Sequence, residues 1–200
     1  MASGERPSDI LCLCHLMWED TLFQRPQQLM SRLAARRRVF FVGLCPARQW
    51  LRSLVFGPRE ALWGTGPNGL RYWNAPYAPG SRRFGAPRRL TARFALAAAR
   101  RARRRFAVER PWLWLYHPRF LAAAHAFEHS RLIYDCMDDF ALFRSAEPGI
   151  AEAERQLLQR ADIVFTGGRS LHRAKAEGLP NAHCFPSGVD YENFARAADP

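Results

Sequence analysis

The sequence lacks the features that would assign it to several common classes of protein. No apolar run approaches the roughly 20 residues needed to cross a bilayer, and no charged-then-apolar leader opens the chain. We therefore expect a soluble, cytoplasmic protein. No internal repeat is present at the period of a solenoid, which disfavours a repeat architecture. The 48% hydrophobic content argues against disorder, and 200 residues suffice for one domain with a sizeable core.

Paired cysteines are also absent: the five cysteines are odd in number, and none shows a Cys-x-x-Cys spacing. Cys12 and Cys14 alternate on a predicted strand and therefore point to the same face. We interpret the cysteines as small core thiols in a reducing compartment, in preference to metal ligands. No metal and no cofactor is expected.

Lysine is nearly missing. Lys175 is one of 30 basic residues, which leaves 29 arginines, and the net charge is +12. The arginine skew is typical of a GC-rich genome, yet so positive a surface favours anionic partners such as lipid headgroups, nucleotide phosphates or nucleic acid. Nucleic acid is the least favoured of these, because no known reading motif accompanies the charge.

Short apolar runs recur along the chain, with helical stretches between them. Strands are predicted at 10–14, 39–44, 70–73, 112–116, 132–134, 163–166 and 182–185. Helices are predicted at 27–37, at 118–127 and along the apolar stripe from Ile150 to Ala161, whereas 46–85 is the least regular part. The pattern predicts an α/β fold: a Rossmann-like, doubly wound and mostly parallel sheet with helices on both faces.

In such a sheet, ligands bind beyond the carboxyl ends of the strands, which directs attention to 15–25, His117, 135–139 and 167–170. The first of these segments has no Gly-x-Gly-x-x-Gly, so a dehydrogenase is disfavoured. A helix beginning near Pro26 would aim its N-terminus into the cleft and favour an anion.

Three stretches resemble bacterial glycosyltransferases with the two-Rossmann (GT-B) architecture. Near the chain end, Pro186-Ser187-Gly188-Val189-Asp190 is similar to the segment that joins the two halves of retaining members, commonly Pro-Asn-Gly-Val-Asp, although Ser187 replaces the Asn. The stretches 18–29 and 134–138 are similar to enzymes of the teichuronic-acid-biosynthesis type.

The resemblance implies that 1–186 form the N-terminal, acceptor-side domain and that 187–200 begin an interdomain linker, with the C-terminal donor domain absent. Such enzymes transfer a sugar from a nucleotide donor to a glycan or lipid-linked acceptor, here one of the cell envelope, and generally need no metal. The nucleotide-sugar donor would bind only with a C-terminal domain. Alone, the chain is expected to be inactive, because the groups that stabilise the leaving diphosphate would be missing. The alternative is a non-catalytic module that binds glycan or anionic lipid, or that regulates a full-length enzyme.

Six residues are candidates for catalysis or acceptor binding. The resemblance implies that His117 lines the acceptor pocket, where a histidine suits the orientation of a hydroxyl, and Asp138 is its candidate catalytic companion. The candidate acceptor-binding residues are Trp18, Arg25, Gln27 and Asp139. The alternatives are a loop anchor for Trp18, a solvated charge for Arg25, and capping or structural roles for Asp138 and Asp139. Asp135 is interpreted as structural. His15, His125, His129, His172 and His183 are interpreted as surface or packing residues.

The segment 88–105 is densely basic. It is predicted to be a helix with two stripes: an apolar one of Leu90, Phe94, Ala98, Ala102 and Phe106, and a basic one of Arg89, Arg93, Arg100 and Arg104. This pattern suits docking on an anionic membrane surface, which would place the protein peripherally on the inner face of the plasma membrane. The alternative is an arginine-coated helix packed on the sheet.

Overall fold

The computed structural model describes residues 8–19, 22–80 and 84–186, together with 188, 191 and 195. The strands of this part are β1 (Ile10–Leu13), β2 (Val39–Pro46), β3 (Trp63–Thr65), β4 (Arg71–Tyr77), β5 (Trp112–Leu115), β6 (Arg131–Cys136), β7 (Ile163–Thr166) and β8 (Ala182–Cys184). The α-helices are α1 (Arg25–Ala34), α2 (Ala47–Phe56), α3 (Gly85–Phe106), α4 (Leu121–Ala126), α5 (Ile150–Arg160) and α6 (Arg169–Lys175).

The strands form one sheet in the order β3-β4-β2-β1-β5-β6-β7-β8. All neighbouring pairs are parallel except β3 with β4. The chain proceeds outward from β1 in one direction through β2 and β4, then returns to β5 on the other side of β1. The order therefore reverses between β1 and β5, and at such a switch point a crevice opens beyond the carboxyl ends of the strands.

Both faces of the sheet are covered, as the apolar strands predict. On β1, Leu11 and Leu13 join one core cluster with alanines of α3, whereas Ile10 and Cys12 join a second cluster with Met30 of α1. The predicted α/β fold with helices on both faces is thus confirmed.

The cysteines occupy the positions expected of core thiols. Cys12, Cys14, Cys45 and Cys136 are buried, and Cys184 is half-buried. Burial above all, then the neighbouring Cys14 and Asp135, raises the pKa of Cys12 well above its ordinary value. Within the described ranges, no group of three or more His, Cys, Asp or Glu side chains is arranged to hold a metal ion.

Only the C-terminal part of the predicted apolar stripe of α3, namely Ala98, Ala102 and Phe106, packs on the core. The buried positions are Thr91, Ala95, Ala99 and Ala102, whereas Leu90 and Phe94 are exposed. A helix advances about 100° per residue, so a constant spacing of four drifts about 40° at each step and leaves the core face. The basic stripe of Arg89, Arg93, Arg100 and Arg104 is exposed, as predicted. No helix of the described part is both long and apolar enough to span a membrane.

The irregular segment 46–85 holds more structure than the sequence indicated, namely α2, β3 and the start of α3. The adjacent loop from β1 to α1 packs tightly on β2 and β4. A Cβ on Gly43 would lie 2.5 Å from Oδ1 of Asn74 and 2.6 Å from the carbonyl oxygen of Leu16, so only glycine fits there. The same Asn74 oxygen accepts a hydrogen bond from the Trp18 backbone N–H at 2.9 Å. This packing fixes the loop that leads into the crevice.

Candidate functional site

A cavity of about 160 Å³ lies at the carboxyl edge of the sheet, beside the switch point between β1 and β5. Its polar lining comes from residues at the carboxyl end of β4 or just after β1 and β5, and from the connection between β6 and α5. The lining includes His15, Tyr77, His117, Arg119, Phe140 and Glu147. A water molecule's share of the liquid is about 30 Å³, so the cavity has room for roughly five waters or one small ring.

His117 follows β5 by two residues and lines this cavity. Its side chain is 7% exposed, and its ring lies 4.1 Å from that of Phe140, centroid to centroid. The Nδ1 atom accepts a hydrogen bond from the backbone N–H of Arg119 at 3.1 Å, so in the neutral ring the proton resides on Nε2. Burial, then His15 and Arg119, lowers the pKa of His117 well below its ordinary value. At neutral pH, His117 is therefore an uncharged hydrogen-bond donor.

His15 lies beside His117, with the two ring centroids 5.0 Å apart, and packs edge-on against Phe140 at 5.2 Å. Burial, with a contribution from Arg119, lowers its pKa to about 4. Its Nδ1 is shielded from solvent and has no hydrogen-bond partner among the residues that the structure describes. His15, interpreted from the sequence as a surface or packing residue, does pack on these two rings, and it also lines the cavity.

Arg119 and Glu147 form an ion pair in the cavity wall, where both side chains are largely buried. The Arg119 guanidinium also lies over the ring of Tyr77, 5.0 Å from its centroid. The Tyr77 hydroxyl is shielded and lacks a hydrogen-bond partner within the described part of the chain. None of these three residues was nominated from the sequence.

Arg25 is engaged within the protein. Its Nε donates to the fully buried carboxylate of Asp135 at 3.1 Å, and its Nη1 donates to the carbonyl oxygen of Phe185 at 2.7 Å. Burial raises the pKa of Asp135 above its ordinary value, whereas Arg25 acts in the opposite direction. Arg25 is thus not a solvated charge, and Asp135 has the structural place that was expected for it.

Trp18 and Gln27 lie in the interior. Trp18 is 4% exposed and stacks on Tyr72 at 5.7 Å, which is the loop-anchor arrangement and leaves no free face for a sugar. Gln27 is fully buried and donates to the carbonyl oxygen of Met17 at 3.1 Å, while its own side-chain oxygen accepts from the Gln24 N–H at 3.2 Å. Both side chains therefore stabilise the conformation of the β1–α1 loop.

The two carboxylates after β6 differ in environment. Asp138 is exposed, whereas Asp139 forms an ion pair with Lys175 at 2.8 Å. Lys175 also pairs with buried Glu154 at 2.8 Å, and Glu154 accepts from the Tyr134 hydroxyl at 2.7 Å. Asp139 is thus tied to the protein interior through the only lysine of the chain.

Two other segments predicted from the sequence are the turn after β7, at 167–170, and the turn at 187–190. A Cβ on Gly167 would lie 3.2 Å from the Met137 carbonyl oxygen, so this glycine permits a close approach between the ends of β6 and β7. Of the predicted turn Ser187-Gly188-Val189-Asp190, only Gly188 is described. Of the proposed linker 187–200, only Gly188, Tyr191 and Ala195 are among the described residues.

Comparisons with known proteins identify the fold. No protein-family model matches the sequence, and a search of curated proteins finds no match. Solved structures do match. A sucrose-phosphate synthase from Thermosynechococcus elongatus has a TM-score of 0.64 at 12% identity, over 95% of this chain and 52% of that one. A second structure of that enzyme has a TM-score of 0.59 at 13% identity, over 95% of both chains.

A trehalose-6-phosphate synthase from E. coli bound with UDP-2-fluoro glucose has a TM-score of 0.56 at 12% identity, over 96% of this chain and 52% of that one. The chain thus spans about half the length of two of these three neighbours. At such identities the likeness concerns the fold alone. The chain has the Rossmann-like fold of a GT-B glycosyltransferase domain.

Proposed function

We propose that this domain is the acceptor-side half of a GT-B sugar transferase. In this proposal, the acceptor hydroxyl enters the cavity at the β1–β5 switch point, and a second domain binds the nucleotide-sugar donor. The observation that supports it best is the neutral His117, whose Nε2 carries the proton and can donate it in a hydrogen bond because Nδ1 already accepts from the chain.

This state of His117 limits its chemical role. A ring that keeps its proton on Nε2, with a pKa well below the ordinary value, neither donates a proton as an acid nor accepts one at that atom at neutral pH. His117 instead orients a sugar hydroxyl by a hydrogen bond to its oxygen. Asp138, which is exposed at the same sheet edge, then serves to accept a hydrogen bond from an acceptor hydroxyl. Asp139 positions this loop through Lys175.

We assign the acceptor to a cell-envelope glycan or a lipid-linked intermediate. This assignment rests on the similarity of 18–29 and 134–138 to enzymes of the teichuronic-acid type. In this proposal, a donor-binding domain binds the diphosphate of the donor. Stabilisation of that leaving group is usually the larger electrostatic contribution to such catalysis.

The exposed face of α3 favours a membrane surface as a further partner. Arg89, Arg93, Arg100 and Arg104 share this face with exposed Leu90 and Phe94. Arginines next to exposed apolar side chains match anionic headgroups and the acyl boundary beneath them. The same face supports the second candidate function, a non-catalytic module that binds anionic lipid.

Ligand-detected NMR on the intact chain distinguishes the two functions. The probes are a panel of methyl glycosides and a panel of UDP- and GDP-sugars. The transferase proposal predicts saturation transfer to at least one glycoside, and its loss in His117→Ala but not in the control His125→Ala, which alters an exposed histidine of α4. If the chain binds anionic vesicles but none of the glycosides, the lipid-binding module would be favoured. Tight binding of a nucleotide sugar by this chain alone would contradict the placement of the donor site.

A further inference from the structure

We infer that the cavity selects an uncharged, hydroxyl-bearing sugar ring over an anionic one, and that Glu147 sets this selectivity by neutralising Arg119. This inference rests on the proposed function, because it names the class of acceptor that the same site takes.

The charges that face the cavity cancel. Arg119 is the cation of its wall, and Glu147 is paired with it. The other two side chains of the wall that could carry a positive charge are His15 and His117. Burial lowers the pKa of both, so they are uncharged at neutral pH. An incoming phosphate would lose its hydration without meeting an uncompensated positive charge, which is costly in a largely buried site. This neutrality contrasts with the net charge of +12 on the whole chain.

Two shielded polar atoms on uncharged side chains of the same wall are suited to hydroxyl partners. The Nδ1 of His15 and the hydroxyl of Tyr77 both lack a partner among the described residues. A shielded polar group without a partner is unfavourable, so a ligand that supplies the partner is favoured. A sugar hydroxyl can both donate and accept, whereas a fully ionised phosphate only accepts. A hydroxylated ring therefore satisfies both atoms whichever way their protons point.

The rest of the lining suits the apolar side of such a ring. Phe140, Phe143 and Ile150 line the cavity, and Phe143 is 49% exposed, so part of its ring is available for contact. The volume of about 160 Å³ fits one small ring and is below the range of about 300–1,000 Å³ typical of pockets for larger ligands. The cavity is thus matched to a single sugar residue, with the remainder of the acceptor outside.

Glu147 is held in place by its surroundings. Its backbone carbonyl accepts from the Ile150 N–H at 3.0 Å at the start of α5, and the neighbouring Pro148 carbonyl accepts from Arg88 Nη1 at 3.0 Å. The carboxylate is therefore presented to Arg119 by a fixed segment, and Glu147→Gln changes its charge while preserving its shape. That substitution removes the negative charge that faces Arg119 in the wall.

The test compares a methyl glycoside that binds with the 6-phosphate of the same sugar, by NMR titration of the intact chain. We expect the wild type to bind the glycoside at least tenfold more tightly, and Glu147→Gln to shift the ratio at least tenfold toward the phosphate. Glu152→Gln removes an exposed carboxylate of α5 and is the matched control, expected to leave the ratio unchanged. Inorganic phosphate should show the same gain in Glu147→Gln.

The outcomes separate the two claims. If the glycoside binds and His117→Ala abolishes its binding, but the wild type takes the 6-phosphate equally well, the selectivity inference is overturned while the proposed function stands. That comparison needs no variant at Glu147, so it holds even if Glu147→Gln fails to fold. If neither glycosides nor sugar phosphates bind, both claims are overturned.

Discussion

The guanidinium of Arg25 lies 3.1 Å from the carboxylate of Asp135, an acidic group with no exposed surface. Arg25 is the first residue of α1, Asp135 lies near the end of β6, and the same guanidinium holds the Phe185 carbonyl just after β8. One side chain thus connects three elements on the carboxyl side of the sheet. This connection stabilises the edge on which the candidate site is built.

Removing Arg25 should therefore be strongly destabilising. Arg25→Met leaves a buried carboxylate without its cation, and breaking such a pair costs about 3–5 kcal/mol in the free energy of unfolding. Asp135→Asn should cost less, because the remaining Arg25 is 15% exposed and keeps the Phe185 contact. Urea denaturation monitored by tryptophan fluorescence measures both. The control Glu152→Gln disrupts the exposed pair with Arg155 and should leave the midpoint unchanged. Equal costs for Arg25→Met and the control would mean that the pair does not stabilise the edge.

Acid should destabilise the fold through the two cavity histidines. An unfolded histidine has a pKa of about 6.5, whereas that of His15 is about 4 and that of His117 is also lowered. As the pH falls from about 6.5 to about 4, the unfolded chain takes up protons that the folded chain does not, so the stability falls. For His15 alone the loss is about 3 kcal/mol over this window.

The measurement is the free energy of unfolding at pH 7 and at pH 5, for the wild type and for His15→Phe. Because the difference between the two proteins cancels the other titrating groups, the variant should lose less stability on acidification. His183→Phe, at an exposed position, serves as the control. An identical pH dependence in the wild type and His15→Phe would show that His15 titrates normally and is not buried as described.

Lys175 should be more sensitive to substitution than the arginines around it. Its ammonium contacts both Asp139 and Glu154 at 2.8 Å. Burial lowers the pKa of Lys175, but the hydrogen bonds to these two carboxylates outweigh that effect and raise it. Lys175→Met should cost about 3 kcal/mol, because Glu154 remains buried without a cation. The double variant Lys175→Met/Glu154→Gln should recover part of that loss. A loss that the second substitution does not reduce would mean that the two side chains are not coupled.

The basic face of α3 should bind anionic vesicles. Replacing Arg89, Arg93, Arg100 and Arg104 together by glutamine should weaken binding to phosphatidylserine-containing vesicles by about 4 kcal/mol, at about 1 kcal/mol per charge. The control replaces four exposed arginines elsewhere, Arg48, Arg52, Arg59 and Arg144, and so changes the net charge equally. Vesicle co-sedimentation at low and moderate salt measures both. Equal weakening by the two sets would indicate a general charge effect and no α3 docking face.

The sequence predicted the central sheet well, because strands covered on both faces read as short, unbroken apolar runs. All seven predicted strands are present, and β3 was missed because its three residues, Trp63–Thr65, lie at the sheet edge and are not buried. The buried face of α3 was predicted only in part, since a spacing of four drifts around the helix and leaves Leu90 and Phe94 exposed.

The candidate site was only partly predictable. The rule that ligands bind at strand ends selected the segments containing His15 and His117, but only the strand order reveals that these two residues flank the same crevice. Arg119 and Glu147 are distant in sequence and belong to no motif, so their pairing depends on tertiary packing. Trp18 and Gln27 belong to the segment that follows β1 at the crevice, yet their side chains are buried in the protein interior.

The most direct test of the cavity is the imidazole nitrogen NMR spectrum of His117 during a titration with methyl glycosides. At pH 7, the account predicts a neutral ring with the proton on Nε2, and a saturable shift of that resonance when a glycoside binds. The resonance of exposed His125 should not move. A protonated His117, a proton on Nδ1, or glycoside binding that shifts only resonances distant from His15 and His117 would contradict the assignment of this cavity as the acceptor site.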